Sequence, residues 1–281
     1  MKVKLVFLIA IALTVSLLSA STMKTVSARN LTSSTRWAGY VLNSAGVTSI
    51  TASWTVPYIQ CGPSTNTISN TVTVGVSVWI GFDGLTPNTT IPEHIGTSSF
   101  CLNGTPQYTA FEEDSTLSTG QRVALPQIYG GDEITSAITY LGNNQFRLSI
   151  ADAQSGGSRT YTLTIPNAAR ASAEWIVEDP WSTLLGGYLS LPTFQTVTFS
   201  GCSASVNSVS GSILQNNVSS ISMVDSNGKT IVAPQNLNQA GTSFQVAEVA
   251  PVPETPSTLL LLLPALLLGA YIPSRKKSPT L

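Results

Sequence analysis

Ala173-Glu174-Trp175-Ile176-Val177-Glu178-Asp179 puts three carboxylates within six positions of an apolar run, in a chain of which only 10% is charged. Read as a strand, the stretch sends successive side chains to opposite faces. Glu174, Ile176 and Glu178 then share one face, with Trp175, Val177 and Asp179 on the other. Two explanations fit a carboxylate pair beside so apolar a strand. One is a solvated sheet face or edge. The other is a carboxylate at work in a cleft.

The residues around this stretch extend the β pattern. Ile50-Thr51-Ala52-Ser53-Trp54-Thr55-Val56 alternates and stops at Pro57, and Thr71 to Phe82 alternates through Val72, Val74, Val76 and Val78 before a turn at Asp83-Gly84. Further β-prone runs cover 133–140, 145–150, 160–165, 196–199 and 219–224. Gly130-Gly131, Gly142-Asn143-Asn144, Ser155-Gly156-Gly157 and Asn227-Gly228 supply turns between them. No long helical periodicity interrupts the series, so the expectation is an all-β sandwich or barrel in one domain.

The two ends read as addresses. Lys2 and Lys4 precede an apolar run from Leu5 to Leu18 and then small residues, the layout of a secretory signal peptide. Residues 1–28 are assigned to signal and short leader, with Ala20 and Ala28 as alternative cleavage points. At the far end, Pro253-Glu254-Thr255-Pro256-Ser257 leads into a 14-residue apolar run, Leu259 to Ile272, and then Arg275-Lys276-Lys277. That run is short of the roughly 20 residues of a spanning helix, and Pro264 inside it costs a helix roughly 3 kcal/mol. Basic residues after a short apolar segment fit a stop at the inner membrane face. The layout of 251–281 also resembles the PEP-CTERM sorting signal of bacterial surface proteins, although Thr255 separates Glu254 from Pro256. The resemblance implies export, transient membrane anchoring and cleavage by a sorting enzyme; a plain C-terminal anchor is the alternative.

Between the ends, residues 29–250 make the domain. Lys2, Lys4, Lys24, Arg275, Lys276 and Lys277 lie outside it, which leaves 7 basic against 14 acidic residues between Arg29 and Ser257. So acidic a domain lacks the clustered Lys and Arg on which phosphate binding depends, and nucleic acid is not an expected partner. Cys61, Cys101 and Cys202 allow one disulfide after export and leave one thiol over. No Cys-x-x-Cys spacing suggests zinc, and no acidic loop pattern suggests calcium. His94 is the only histidine, so a Ser-His-Asp triad or a histidine metal site has one residue to build on. Neither metal nor cofactor is expected.

Three segments in order carry a resemblance. They are Arg36-Trp37-Ala38-Gly39-Tyr40-Val41; Val78-Trp79-Ile80-Gly81-Phe82-Asp83-Gly84 with Ile95-Gly96-Thr97 and Asn103-Gly104-Thr105-Pro106-Gln107-Tyr108; and the opening stretch with Pro180. Together they resemble the glutamic peptidases, or eqolisins, over residues 36–224. The resemblance implies two packed antiparallel sheets, curved like a concanavalin or glucanase jelly roll, with a substrate groove on one concave face. It also implies hydrolysis of polypeptide substrates in acid, without metal. In that family a glutamate activates the attacking water, and a glutamine orients the water and stabilises the oxyanion.

The glutamate carries over as Glu174, which suits a general base if it stays ionised. The glutamine does not. Bacterial members similar to this chain read Glu-Gln-Ile-Gly-Thr, whereas this one reads Glu93-His94-Ile95-Gly96-Thr97. The later aromatic segment is also altered, to Ala110-Phe111-Glu112-Glu113-Asp114. Neutral imidazole offers one donor and one acceptor, as an amide group does. Below an ordinary pKa of about 6.5 it becomes a cation with two donors. Such a cation stabilises an oxyanion but lowers the basicity of Glu174.

Two functions therefore stand. One is an active surface endopeptidase with a catalytic Glu174–His94 pair. The other is an impaired family member whose groove binds peptide or glycan. Trp37, Trp79 and Glu178 are the expected substrate-binding residues, with core packing the alternative for either tryptophan and tuning of Glu174 or a structural role the alternatives for Glu178. Asp83 is expected to fix its own turn, Asp179 to end the strand, and Glu93 to point away from the face of His94.

Overall fold

A computed structural model of the chain describes residues 32–250, apart from 63–71, 85–92, 114–120, 124, 126, 183–184 and 216. The expected signal peptide and leader at 1–28 and the sorting segment at 251–281 lie outside the described residues. Among the described residues, no helix is long and apolar enough to cross a membrane.

The fold is all-β, as expected. Among the described residues, one hydrogen-bonded network joins 16 strands, and neighbours along its main path are antiparallel. One layer runs from Ser158–Thr164 through Gln145–Asp152, Glu133–Gly142 and Val47–Thr55 to Val197–Val206. The other runs from Asn217–Val224 through Trp37–Asn43, Ser172–Glu178, Val72–Phe82 and Glu93–Leu102 to Thr105–Glu113 and Gln121–Val123. The layers are not separate sheets, since Phe244–Glu248 and Thr230–Pro234 bridge them edge to edge. Register shifts between Ser200 and Ser203 and between Met223 and Val224 fall in the strands flanking that bridge. Such bulges bend a strand and raise its twist, which lets one sheet curl over on itself.

Period-2 alternation decides what meets between the layers. Trp54, Phe82, Phe146, Trp175 and Phe199 are fully buried there, and burying a large apolar side chain contributes roughly 1.5–3 kcal/mol each. Both core indoles find acceptors in the opposite layer, which pins the register of one layer on the other. Trp54 Nε1–H donates to Thr97 Oγ1 at 3.0 Å, and Trp175 Nε1–H to the Thr51 carbonyl at 3.0 Å.

Where the sequence signalled hairpins, turn chemistry explains them. Asn143 and Asn144 adopt φ of 51° and 60°, the left-handed pair that a two-residue hairpin requires. Strands at 93–102, 105–113, 230–234 and 244–248 were not read from the sequence. Cys61 and Cys101 form the disulfide, closing a span of 40 residues, a closure that stabilises by about 4 kcal/mol in the chain-entropy model. Cys202 is the spare thiol, buried in the core.

Candidate active site

The Ser172–Glu178 strand lies between Trp37–Asn43 and Val72–Phe82. Its register places Glu174 opposite Gly81, and Gly81 in turn opposite His94. Cross-strand partners share a face, so Glu174 and His94 face the same way across two strand spacings, about 10 Å at Cα. A Cβ on Gly81 would collide with His94 Cδ2. The imidazole thus occupies the space above the glycine, between its own strand and that of Glu174.

An aromatic stack holds the ring there. Trp79 sits opposite Gly96, just as His94 sits opposite Gly81. Each ring lies diagonally across a glycine on the neighbouring strand, and the two stack with centroids 3.7 Å apart and planes 20° apart. Trp37 meets Trp79 edge-on at 5.2 Å and His94 at 6.2 Å. Trp79 Nε1–H donates to Glu178 Oε2 at 2.7 Å. Val41, Ile176 and Ile221 complete a small apolar cluster with Trp79, flanked by Trp37 and Phe111.

Within this apolar setting the polar atoms are stranded. Glu174 is 0% exposed and neither carboxyl oxygen has a hydrogen-bond partner; His94 is 4% exposed and its Nε2 has none. Burial pushes the Glu174 carboxyl well above the usual carboxylate range. The Ser172 hydroxyl, two residues back on the same face, pulls the other way without completing a hydrogen bond, and Asp83 and Glu93 push further up. Burial also lowers the His94 imidazole to about 3. Glu178 rises to about 7 through burial, although Trp37 and Trp79 both ease its ionisation. The Trp37 indole does so by proximity, since its N–H makes no hydrogen bond. Asp179 rises to about 7 through burial and the neighbouring Glu178, against the pull of Arg36.

Two expectations change as a result. The imidazolium allowed below about 6.5 by the ordinary histidine pKa does not form in mild acid, because burial disfavours the charged form. His94 is held neutral, with one donor and one acceptor. Asp83 does not fix its own turn; its carboxylate accepts the backbone N–H groups of Arg170 at 2.8 Å and Ala171 at 2.7 Å. It clamps the segment leading into Ser172–Glu178 beside the end of Val72–Phe82.

Other residues fall where the alternation put them. Glu93 pairs with Phe82 and so faces the core side, away from His94. The strand ends at Glu178, and Asp179 N–H donates to the Arg36 carbonyl. Sequence reasoning missed Ser172 and the paired glycines 81 and 96. Period-2 counting back from Glu174 gives the first, and the alternation of Trp79 with Gly81 and of His94 with Gly96 hints at the second. Among the described residues, no group of three or more His, Cys, Asp or Glu side chains is placed to hold a metal ion.

Solved structures share this architecture. A scytalido-glutamic peptidase bound to a transition-state analogue inhibitor aligns with a TM-score of 0.64 at 19% identity, over 76% of this chain and 98% of that one. SCP-B, an eqolisin in complex with the tripeptide Ala-Ile-His, aligns at 0.62 and 19% identity over 76% and 98%. The aspergilloglutamic peptidase of Aspergillus niger aligns at 0.54 and 21% identity over 63% and 99%. At these identities the likeness establishes the fold. No curated protein sequence is significantly similar to the chain. The sequence model of one family matches residues 35–247, a span that contains every strand of the site, and the chain therefore belongs to the Peptidase A4 family, the glutamic peptidases.

Proposed function

We propose that this chain is an exported acid endopeptidase in which Glu174 is the general base and His94 stands in for the family's glutamine. Membership of the Peptidase A4 family supports a peptide hydrolase acting on polypeptide. The observation that carries the assignment is the stranded pair. Glu174 and His94 share one sheet face on either side of Gly81, and three of their polar atoms lack partners. A buried polar atom left unpaired costs roughly 1–3 kcal/mol, and a water with a substrate carbonyl restores those bonds.

The chemistry follows from the atoms available. Ionised Glu174 takes a proton from the water as its oxygen bonds to the carbonyl carbon. The N–H of neutral His94 donates to the developing oxyanion, a contact worth roughly 3–4 kcal/mol. Glu174 then returns the proton to the amine nitrogen as the C–N bond breaks. Trp37 and Trp79 wall the space in which the peptide lies. Since Glu174 holds its proton above the usual carboxylate range, turnover rises with pH through mild acid and is lost in strong acid.

One observation favours the second function. Full burial raises the Glu174 carboxyl well above the usual carboxylate range and so disfavours its ionised form, as in an impaired family member that binds peptide or glycan. Full-length protein in mild detergent, given quenched peptides from pH 2 to 7, separates the two. Turnover is expected, while a folded protein inert throughout that range is the impaired binder. His94→Gln refines the answer, because equal or lower turnover marks His94 as an adapted partner and a large gain marks a degraded enzyme.

Cell-surface placement belongs to the same proposal, with residues 1–28 as the export signal and 251–281 as a transient anchor cut by a sorting enzyme. Deleting 251–281 is expected to move the protein from the cell envelope to the medium; an unchanged distribution contradicts it.

A further inference from the structure

We propose that Glu178, read from the sequence as a substrate-binding residue, is a positioning residue for His94 that acts through the Trp79 indole. The inference rests on the reading of His94 as the partner of Glu174, and it concerns what fixes that partner in place.

The chain of contacts is continuous. Glu178 Oε2 accepts the Trp79 Nε1–H at 2.7 Å, Trp79 stacks on His94 at 3.7 Å, and His94 lies over Gly81 beside the Glu174 strand. Trp79 is fully buried, and a buried indole N–H needs an acceptor. The Glu178 carboxyl supplies that acceptor whether or not it is protonated, at a short 2.7 Å. The indole torsion about χ2 is soft, so this bond selects the plane that Trp79 offers to the imidazole.

Nothing else in the stack does so as directly. The residues opposite the two rings are Gly96 and Gly81, which clear room for stacking but contribute no side chain to orient either ring. His94 Nε2 has no bond of its own. Trp37, paired with Glu178 in register, flanks the stack edge-on, 5.2 Å from Trp79 and 6.2 Å from His94, without a hydrogen bond to either ring. Glu178 is thus bonded to an indole, and the stack links it to His94.

The test uses the single histidine of the chain. In full-length protein labelled at histidine, one imidazole gives one set of NMR resonances, and the ring current of a stacked indole shifts its Cδ2–H upfield. Glu178→Ala is expected to return that resonance toward the unstacked position and to lower kcat/KM by roughly tenfold or more with little change in KM. Trp79→Phe, which keeps a ring but no N–H, is expected to match it, and the double variant to lose little more. Glu178→Gln, which keeps an acceptor, is expected to retain the upfield shift. Glu178→Leu fills the same space without an acceptor and replaces the alanine variant where that does not fold. A wild-type His94 resonance in Glu178→Ala or Glu178→Leu overturns the proposal, as do additive losses in the double variant. The resonance is read without turnover, so an inert wild type speaks against the peptidase and leaves the positioning test standing.

Discussion

The two layers turn very different outward faces to their surroundings. On the Val47–Thr55 layer, hydroxyls pair across strands: Ser49 with Ser205 at 2.8 Å, Thr51 with Ser203 at 2.8 Å, Ser53 with Thr135 at 2.7 Å. Each of these hydroxyls has a neighbour of its own kind, and each pair is worth only a fraction of a kcal/mol, roughly 0.2–1. On the Ser172–Glu178 layer, Glu174, His94 and the Trp37 indole keep buried polar atoms with no partner. The same period-2 geometry builds both faces. What separates them is that the second face, beside its Ser77–Ser98 and Trp79–Glu178 pairs, also holds buried polar atoms in reserve, as strain at a functional site is expected to be held.

That contrast is open to attack at four points. Removing the oxyanion donor with His94→Ala is expected to cost roughly 100-fold or more in kcat, read with quenched peptides near the pH of greatest turnover. Gly81→Ala comes next: its Cβ collides with His94 Cδ2, so turnover is expected to fall and stability to drop by roughly 1–3 kcal/mol, read from urea midpoints. If Gly81→Ala leaves turnover unchanged, the space above Gly81 is not where the pair meets.

The third point is the pH dependence of stability. Glu178 and Asp179 each hold their proton to about 7 in the folded chain, above their unfolded values, so the folded state binds more protons over mild acid. Stability from these groups is complete below about pH 4 and is lost as pH rises through 7. Glu174 acts in the same sense, and His94, lowered to about 3, partly opposes them between pH 3 and 6.5. Net stability is expected to fall from pH 4.5 to 7. Glu178→Gln is expected to recover on the order of 2 kcal/mol at pH 7, allowing for its partial exposure. Unfolding midpoints that rise with pH contradict the stranded-carboxyl picture. On the opposite layer, Ser53→Ala is expected to cost under about 1 kcal/mol and to leave turnover untouched.

Much of this was legible in the sequence because β alternation is strict. Counting by twos from Glu174 placed Ile176 and Glu178 on its face, and the same count sent Glu93 away from His94. The motif around Glu174 and the departure at His94 pointed to one face before any strand was paired. Register across strands was not legible, and it is register that sets Gly81 between the pair and Trp79 over Gly96. Burial was equally hidden, and it reverses the expected charge of His94: a cation in mild acid for a solvated ring, a neutral one here. Asp83 was misjudged for the same reason, since its partners at Arg170 and Ala171 lie 87 and 88 residues along the chain.

The central claim is that Glu174 is a working base in this chain, and kcat/KM for wild type and Glu174→Gln side by side tests it most directly. The substitution keeps the shape of the side chain and removes only its capacity to take a proton. A working base predicts measurable peptide cleavage by wild type and a loss of roughly 100- to 10,000-fold in Glu174→Gln, with the variant at least as stable near neutral pH. Cleavage at the same rate by both proteins contradicts it.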